Sequence, residues 1–151
     1  EDIDFSLRLL KKGFGTALIP EAYVYHKRRS TFRQFFKQVY NSGIARINLH
    51  LAHPGSLRFV HLLPSFFVTA MILTLLLTVF YSIVLLVPVL YSLLVLIDST
   101  VRNRSLKVGL YSIAAAWTQL FGYGTGFIAA VWKRLILKKG EFNAFEKKFY
   151  E

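Results

Sequence analysis

The sequence has no cysteine. That excludes a disulfide framework, thiolate catalysis and a Cys-ligated zinc site. It is also short of acids: 8 Asp and Glu stand against 19 Lys and Arg, for a net charge of +11. No acid occurs between residues 22 and 97. No P-loop, GxGxxG stretch, HExxH motif or nucleophile elbow occurs either, so none of those short signatures points to a chemistry. Charged residues make up only 18% of the chain and hydrophobic ones 54%. Soluble domains hold about 45–50% apolar residues. Disorder is excluded, because 14 Phe, 8 Tyr and 2 Trp can bury too much surface for the chain to stay unfolded.

The apolar residues are concentrated. Residues 62–97 form a 36-residue run without one charge. As a single helix it would be about 54 Å long, against a hydrocarbon core of about 30 Å, so the run fits two crossings. Pro64 suits the start of the first, and a break is expected near Tyr81-Ser82 or at Pro88. Residues 108–132 form a second uncharged run of 25, long enough to cross once. Neither run is N-terminal, so neither is expected to be a cleavable signal peptide.

The polar zones are all basic: +6 over residues 1–61, +2 over 98–107 and +3 over 133–151. Three crossings, at about 62–80, 83–97 and 108–132, place the tail 133–151 across the membrane from the N-terminal region. The positive-inside rule would keep all three zones on one side, which needs an even number. The stretch Gly122-Tyr123-Gly124-Thr125-Gly126 offers a way to interrupt the last run and make it re-entrant. Three crossings is the expectation taken forward.

The chain opens EDIDFSLRLLKKGFGTALIPEAYVYHKRRST, with no initiator Met and a charged helix already under way. It is expected to be the C-terminal part of a longer protein. Phe5, Leu9 and Leu10 fall at helical spacing, Lys11 and Lys12 suit the last turn, and Gly13 suits the C-cap. Residues 16–19 and 22–25 read as short strands on either side of Pro20. One helix and two strands do not make a domain, so residues 1–30 read as the end of an α/β unit. In residues 31–50, Phe32, Phe35, Phe36, Val39, Tyr40, Ile44 and Ile47 follow one helical face, and Arg33, Gln34, Lys37, Gln38, Asn41 and Arg46 take the other. An aromatic, basic amphipathic helix ahead of a membrane run reads as interfacial, its basic face meeting anionic headgroups. The plainer alternative is a helix packed on its own protein. The expected organisation is therefore a catalytic-domain remnant at 1–30, an interfacial helix and linker at 31–58, a membrane region at 59–132 and a basic tail at 133–151.

These residues carry a resemblance. An acidic pair, a Leu-Arg-Leu helix, a Gly-aromatic turn, a Pro and a Val-x-His followed by Arg and Ser/Thr resemble the end of the catalytic domain of membrane-bound family 2 glycosyltransferases. The Arg-Gln-Phe-Phe-Lys-Gln helix and the late Gly-Tyr-Gly-Thr-Gly-Phe are similar to the segments that come after that domain in such enzymes. The specific part is residues 1–46. The resemblance implies a mainly α, integral membrane chain that holds the remnant of a glycosyltransferase A-type α/β domain. It implies inverting sugar transfer from a nucleotide sugar to a lipid-linked or glycan acceptor, in polysaccharide or cell-envelope biosynthesis. The catalytic part would be cytoplasmic, at a bacterial inner membrane. The chain lacks the Gln-x-x-Arg-Trp motif of processive synthases, which favours single-sugar transfer. It also lacks the family's Asp-x-Asp metal motif, expected upstream. This stretch alone is thus expected to be inactive, with the main ligands of a Mg²⁺ or Mn²⁺ ion elsewhere.

By the same resemblance Asp2 is the general base and Glu1 its neighbour near the acceptor. An acceptor hydroxyl must lose its proton as it attacks, and a nearby carboxylate can take it. The alternative is that both residues only cap the helix. Asp4 is expected to be structural or a cap. His26 is a candidate for a diphosphate contact or a metal ligand. Lys27, Arg28 and Arg29 suit the charge growing on a leaving diphosphate, or a lipid phosphate, and Gln38 is placed with this substrate-binding set. Membrane lipids are expected partners. Gly122, Gly124 and Gly126 would allow close packing with a second copy or a partner subunit. Nucleic acid is not expected, because the basic residues form no continuous groove. A transporter is disfavoured by spans without ionisable residues. A non-catalytic membrane protein binding anionic lipid or a partner is the competing reading.

Overall fold

A computed structural model describes residues 2–25 and 31–142 of the chain. Five α-helices run in order: α1 (Asp2–Lys11), α2 (Phe32–Ala52), α3 (Leu63–Leu77), α4 (Leu86–Asn103) and α5 (Leu106–Ala130). Single 3₁₀ turns, Phe59–His61 and Ser82–Leu85, lead into α3 and α4, and a π-helical turn, Val131–Ile136, continues α5.

Local chemistry sets the helix ends. α1 stops in a Schellman motif: Gly13 takes a φ of +81°, its N–H donates to the Leu10 carbonyl at 3.0 Å, and the Phe14 N–H donates to Leu9 at 3.1 Å. Thr31 caps α2, its hydroxyl accepting from the Gln34 N–H at 3.3 Å. The turn between α4 and α5 repeats the Schellman bonds with Arg104 in the left-handed region, and Ser105 caps α5.

The segments expected as strands, 16–19 and 22–25, are not strands. A strand needs a ladder, and the described residues hold no strand to pair with. The Ala22 N–H instead closes a turn on the Ile19 carbonyl at 3.1 Å. Of the expected α/β remnant, these residues therefore supply one helix and an exposed arm.

The 36-residue apolar run breaks at residues 78–81, just ahead of Ser82. Pro88 does not break it. It sits in the first turn of α4, where a missing N–H removes no helical bond. Ser82–Asn103 is the one helix among the described residues that is long and apolar enough to cross a membrane. α3, at 15 residues, spans about 22 Å. α5 has the length, but its Tyr, Trp, Gln and Gly residues lower its hydropathy.

α5 is the central element, with α2, α3 and α4 packed around it. Its glycines explain how closely. A Cβ on Gly126 would meet the Tyr40 carbonyl, one on Gly122 the Val39 side chain, and one on Gly124 the Pro64 carbonyl. From the other side, a Cβ on Gly43 of α2 would stand 2.7 Å from the Phe127 nitrogen. The glycine stretch does not interrupt α5 or turn it back, and here its close contacts are within the chain. The core is correspondingly small: Ile44 and Ile47 of α2 against Phe127 and Ala130 of α5. Phe67, Tyr91, Trp117 and Phe121 join α3, α4 and α5 through ring contacts of 5.3–5.9 Å. The Trp117 indole N–H donates to Ser92 across the α4–α5 contact at 3.0 Å.

Candidate functional site

α1 meets the end of α2 around His53. This histidine caps α2, its N–H donating to the Leu49 carbonyl at 2.8 Å. The chain then reverses through Pro54 and Gly55. Gly55 has a φ of +88°, and the Ser56 N–H returns to the His53 carbonyl at 3.1 Å. Pro and then a positive-φ Gly are what a type II turn requires at its two central positions. The turn holds the His53 ring, which is buried, against α1.

Asp4, Arg8 and Lys11 share one face of α1, at helical spacing. The His53 Nε2–H donates to Asp4 Oδ1 at 2.6 Å. The Lys11 ammonium donates to His53 Nδ1 at 3.0 Å. Arg8 Nε donates to Asp4 Oδ2 at 3.1 Å. A ring nitrogen that accepts from an ammonium carries no proton, so this geometry calls for the Nε2–H tautomer. The hydrogen bond from His53, with Arg8 adding to it, holds the Asp4 carboxyl below the usual carboxylate range. Asp4 is therefore no helix cap. It ties α1 to the end of α2.

Beside this pair lies a cleft of about 500 Å³. Its lining is basic at Lys11, Arg46, Arg58, His53 and His61. Ile3, Leu7, Leu49 and Val60 add apolar side chains to the lining, and among the described residues no carboxylate lines it. Among the described residues no carboxylate pairs with Lys11, Arg46 or Arg58. The Arg58 backbone N–H donates to His61 Nδ1 at 3.0 Å. Burial pushes the His61 imidazole below its usual value, and the Arg46 and Arg58 charges push the same way. The cleft is suited to an anion with an apolar neighbour.

Of the sequence-derived candidates, Glu1, His26, Lys27, Arg28 and Arg29 lie outside the described residues. The backbone of Asp2 opens α1, two residues before Asp4, and its side chain is likewise outside them. Gln38 is exposed on α2, where its carbonyl accepts from the Ser42 hydroxyl at 3.1 Å. It precedes Arg46 by eight residues, about 12 Å of helix, and does not line the cleft. Among the described residues no group of three or more His, Asp or Glu could hold a metal ion. The divalent ion implied by resemblance does not fit them.

Sequence reasoning missed Arg46, His53, Arg58 and His61 as one site. Two signals pointed there. His-Pro-Gly-Ser is a turn sequence that fixes its histidine, and basic residues 22–97 must look to acids outside that stretch, of which Asp4 is one.

A family model described as glycosyl transferase family group 2 matches residues 1–99, which run from α1 through most of α4. No curated protein matches, and no solved structure matches.

Proposed function

The chain belongs to glycosyl transferase family group 2, and from that premise we propose that it serves a membrane-bound enzyme moving a sugar from a nucleotide-sugar donor to a lipid-linked or glycan acceptor. The acceptor hydroxyl attacks the anomeric carbon, a new C–O bond forms there, and the bond from that carbon to the nucleoside diphosphate breaks with inversion. Asp2 takes the hydroxyl proton, and Glu1 stands beside it on the acceptor side. Arg28 and Arg29, with His26 and Gln38, balance the charge that the departing diphosphate gains. Membership of the family implies the two substrates. The base, the donor, the acceptor and the inverting course belong to the proposal.

The observation that carries the choice of base is the state of Asp4. A carboxylate held by His53 and Arg8 is a weakened proton acceptor, which favours Asp2, the base that the family resemblance implies, over Asp4. The membrane reading rests on Ser82–Asn103 and on the apolar side chains that α3 and α4 leave exposed. In it, three crossings carry the chain through a bacterial inner membrane with the catalytic part in the cytoplasm. The N-terminal half of α2 lies at the interface, where Phe32 and Phe36 are exposed beside Arg33 and Lys37. Its C-terminal half packs on α5, so α2 combines the two roles that its sequence allows.

The test is sugar transfer from labelled nucleotide sugars in membranes holding the full-length protein. Asp2→Asn is expected to lose about 10²-fold or more in rate, with Asp4→Asn losing far less. An Asp2→Asn variant of near-normal activity would return Asp2 to a capping role. No transfer from any donor of a full panel would reject the enzymatic reading in favour of lipid or partner binding.

A further inference from the structure

We infer that the cleft between α1 and the end of α2 binds a phosphate or diphosphate group, with Lys11, Arg46 and Arg58 as its cationic contacts. The inference deepens the proposed function and rests on it only for the identity of the molecule that bears the phosphate. Three permanent cations line one cleft, and among the described residues no carboxylate lines it and none of the three is ion-paired. Like charges gathered without a counter-charge are mutually repelled, and the penalty is relieved when an anion enters. Asp4, on the same helix as Lys11, is already engaged by His53 and Arg8. Guanidinium and ammonium donors together suit phosphate oxygens: the fork of an arginine takes two at once, and the lysine acts as a point charge. The Ser56 hydroxyl, buried and without a partner, belongs to a residue of the same lining. At about 500 Å³ the cleft is within the range of small-molecule sites.

The apolar residues of the lining select how the phosphate is carried. Ile3, Leu7, Leu49 and Val60 line the same cleft as the cations. Val60 belongs to the 3₁₀ turn Phe59–His61, which leads into α3, and Phe59, Val60, Leu63 and Phe66 are all exposed there. The cleft therefore lies where the apolar exterior begins. An amphiphile fits this lining, with its phosphate on the cations and its first carbons on the apolar residues among them. A free diphosphate shares the head-group chemistry and lacks the second contact.

The experiment uses the full-length protein in nanodiscs of phosphatidylcholine, with dodecyl phosphate and inorganic pyrophosphate as separate probes and calorimetry as the readout. Dodecyl phosphate is expected to bind the more tightly. Arg58→Gln and Lys11→Gln, both at exposed positions, are each expected to weaken it about tenfold or more. Arg102→Gln, which removes the exposed partner of Asp98, is expected to bind as the parent does. Equal binding of pyrophosphate, with the same loss in both cleft variants, supports the phosphate site and assigns it to a soluble diphosphate. Failure of both probes to bind, or unchanged binding in both cleft variants, overturns the inference. Sugar transfer is measured in parallel. Transfer with cleft binding absent leaves the enzyme standing and removes the cleft; cleft binding without transfer does the reverse.

Discussion

His53 shows how one side chain joins two distant segments. It reaches Asp4 across 49 positions of sequence and is held there by a turn made of the next three residues. Because the Asp4 carboxyl titrates below its usual range, its unfolded form binds protons more readily than its folded form does. The stabilisation is thus fully present above the ordinary Asp value, near 3.9, and is lost as pH falls through the lower folded value. His61 has the same sign: its depressed value favours the neutral ring, so acidification below about 6.5 begins to weaken the fold. Thermal unfolding measured from pH 7 to pH 3 should show a falling midpoint. The step near neutrality should be missing in His61→Gln and the acidic step in Asp4→Asn. In Asp4→Asn at pH 7, amides of α1 should exchange faster while those of α5 keep their protection, read by hydrogen exchange.

Among the elements, α5 carries the most consequence. A glycine-rich stretch in an apolar run reads equally as a break, a dimer face or an internal packing surface, because the sequence does not say what approaches it. In the structure α2 and α3 approach it, close enough that backbone carbonyls occupy the place of the missing side chains. Gly126→Ala should therefore destabilise the bundle by about 1–3 kcal/mol, the usual range for overpacking. Gly15→Ala, at a position with open space around it, should leave the thermal midpoint unchanged. Equal midpoints in both variants would mean that α2 can retreat from α5 at little cost. The helix ends were the more legible part. Gly13 acts through groups within five residues of itself, so its capping needs no knowledge of the rest of the chain.

At the scale of the molecule, the accessible surface is 12126 Å². A compact soluble monomer of this mass would expose about 7,900 Å². Hydrophobic side chains of α3 and α4 are among those that face outward, and the best 18-residue window of Ser82–Asn103 has none of its residues buried inside the fold. The protein is expected to stay with membranes through an alkaline carbonate wash and to leave them in detergent. The absence of native cysteine gives a clean topology test with a membrane-impermeant maleimide. With three crossings, Arg33→Cys and Asn103→Cys are labelled from one side of the membrane and Gly140→Cys from the other. Labelling of all three from the same side would require an even number of crossings and would place the basic tail with the catalytic part.

Features that depend on near neighbours and on bulk composition were legible in the residues alone: the helical class, the C-cap of α1, the break in the long apolar run, and the family, which is written in residues close together at the start of the chain. Which elements meet was not legible. The expected strands were judged by residue type, and a strand is completed by a partner that residue type does not name. The cleft gathers Lys11, Arg46, His53, Arg58 and His61 from a span of 51 positions, and no local pattern links them. Packing brought them together: α2 folds back along α5, α1 sets against the end of α2, and their charges come to surround one space.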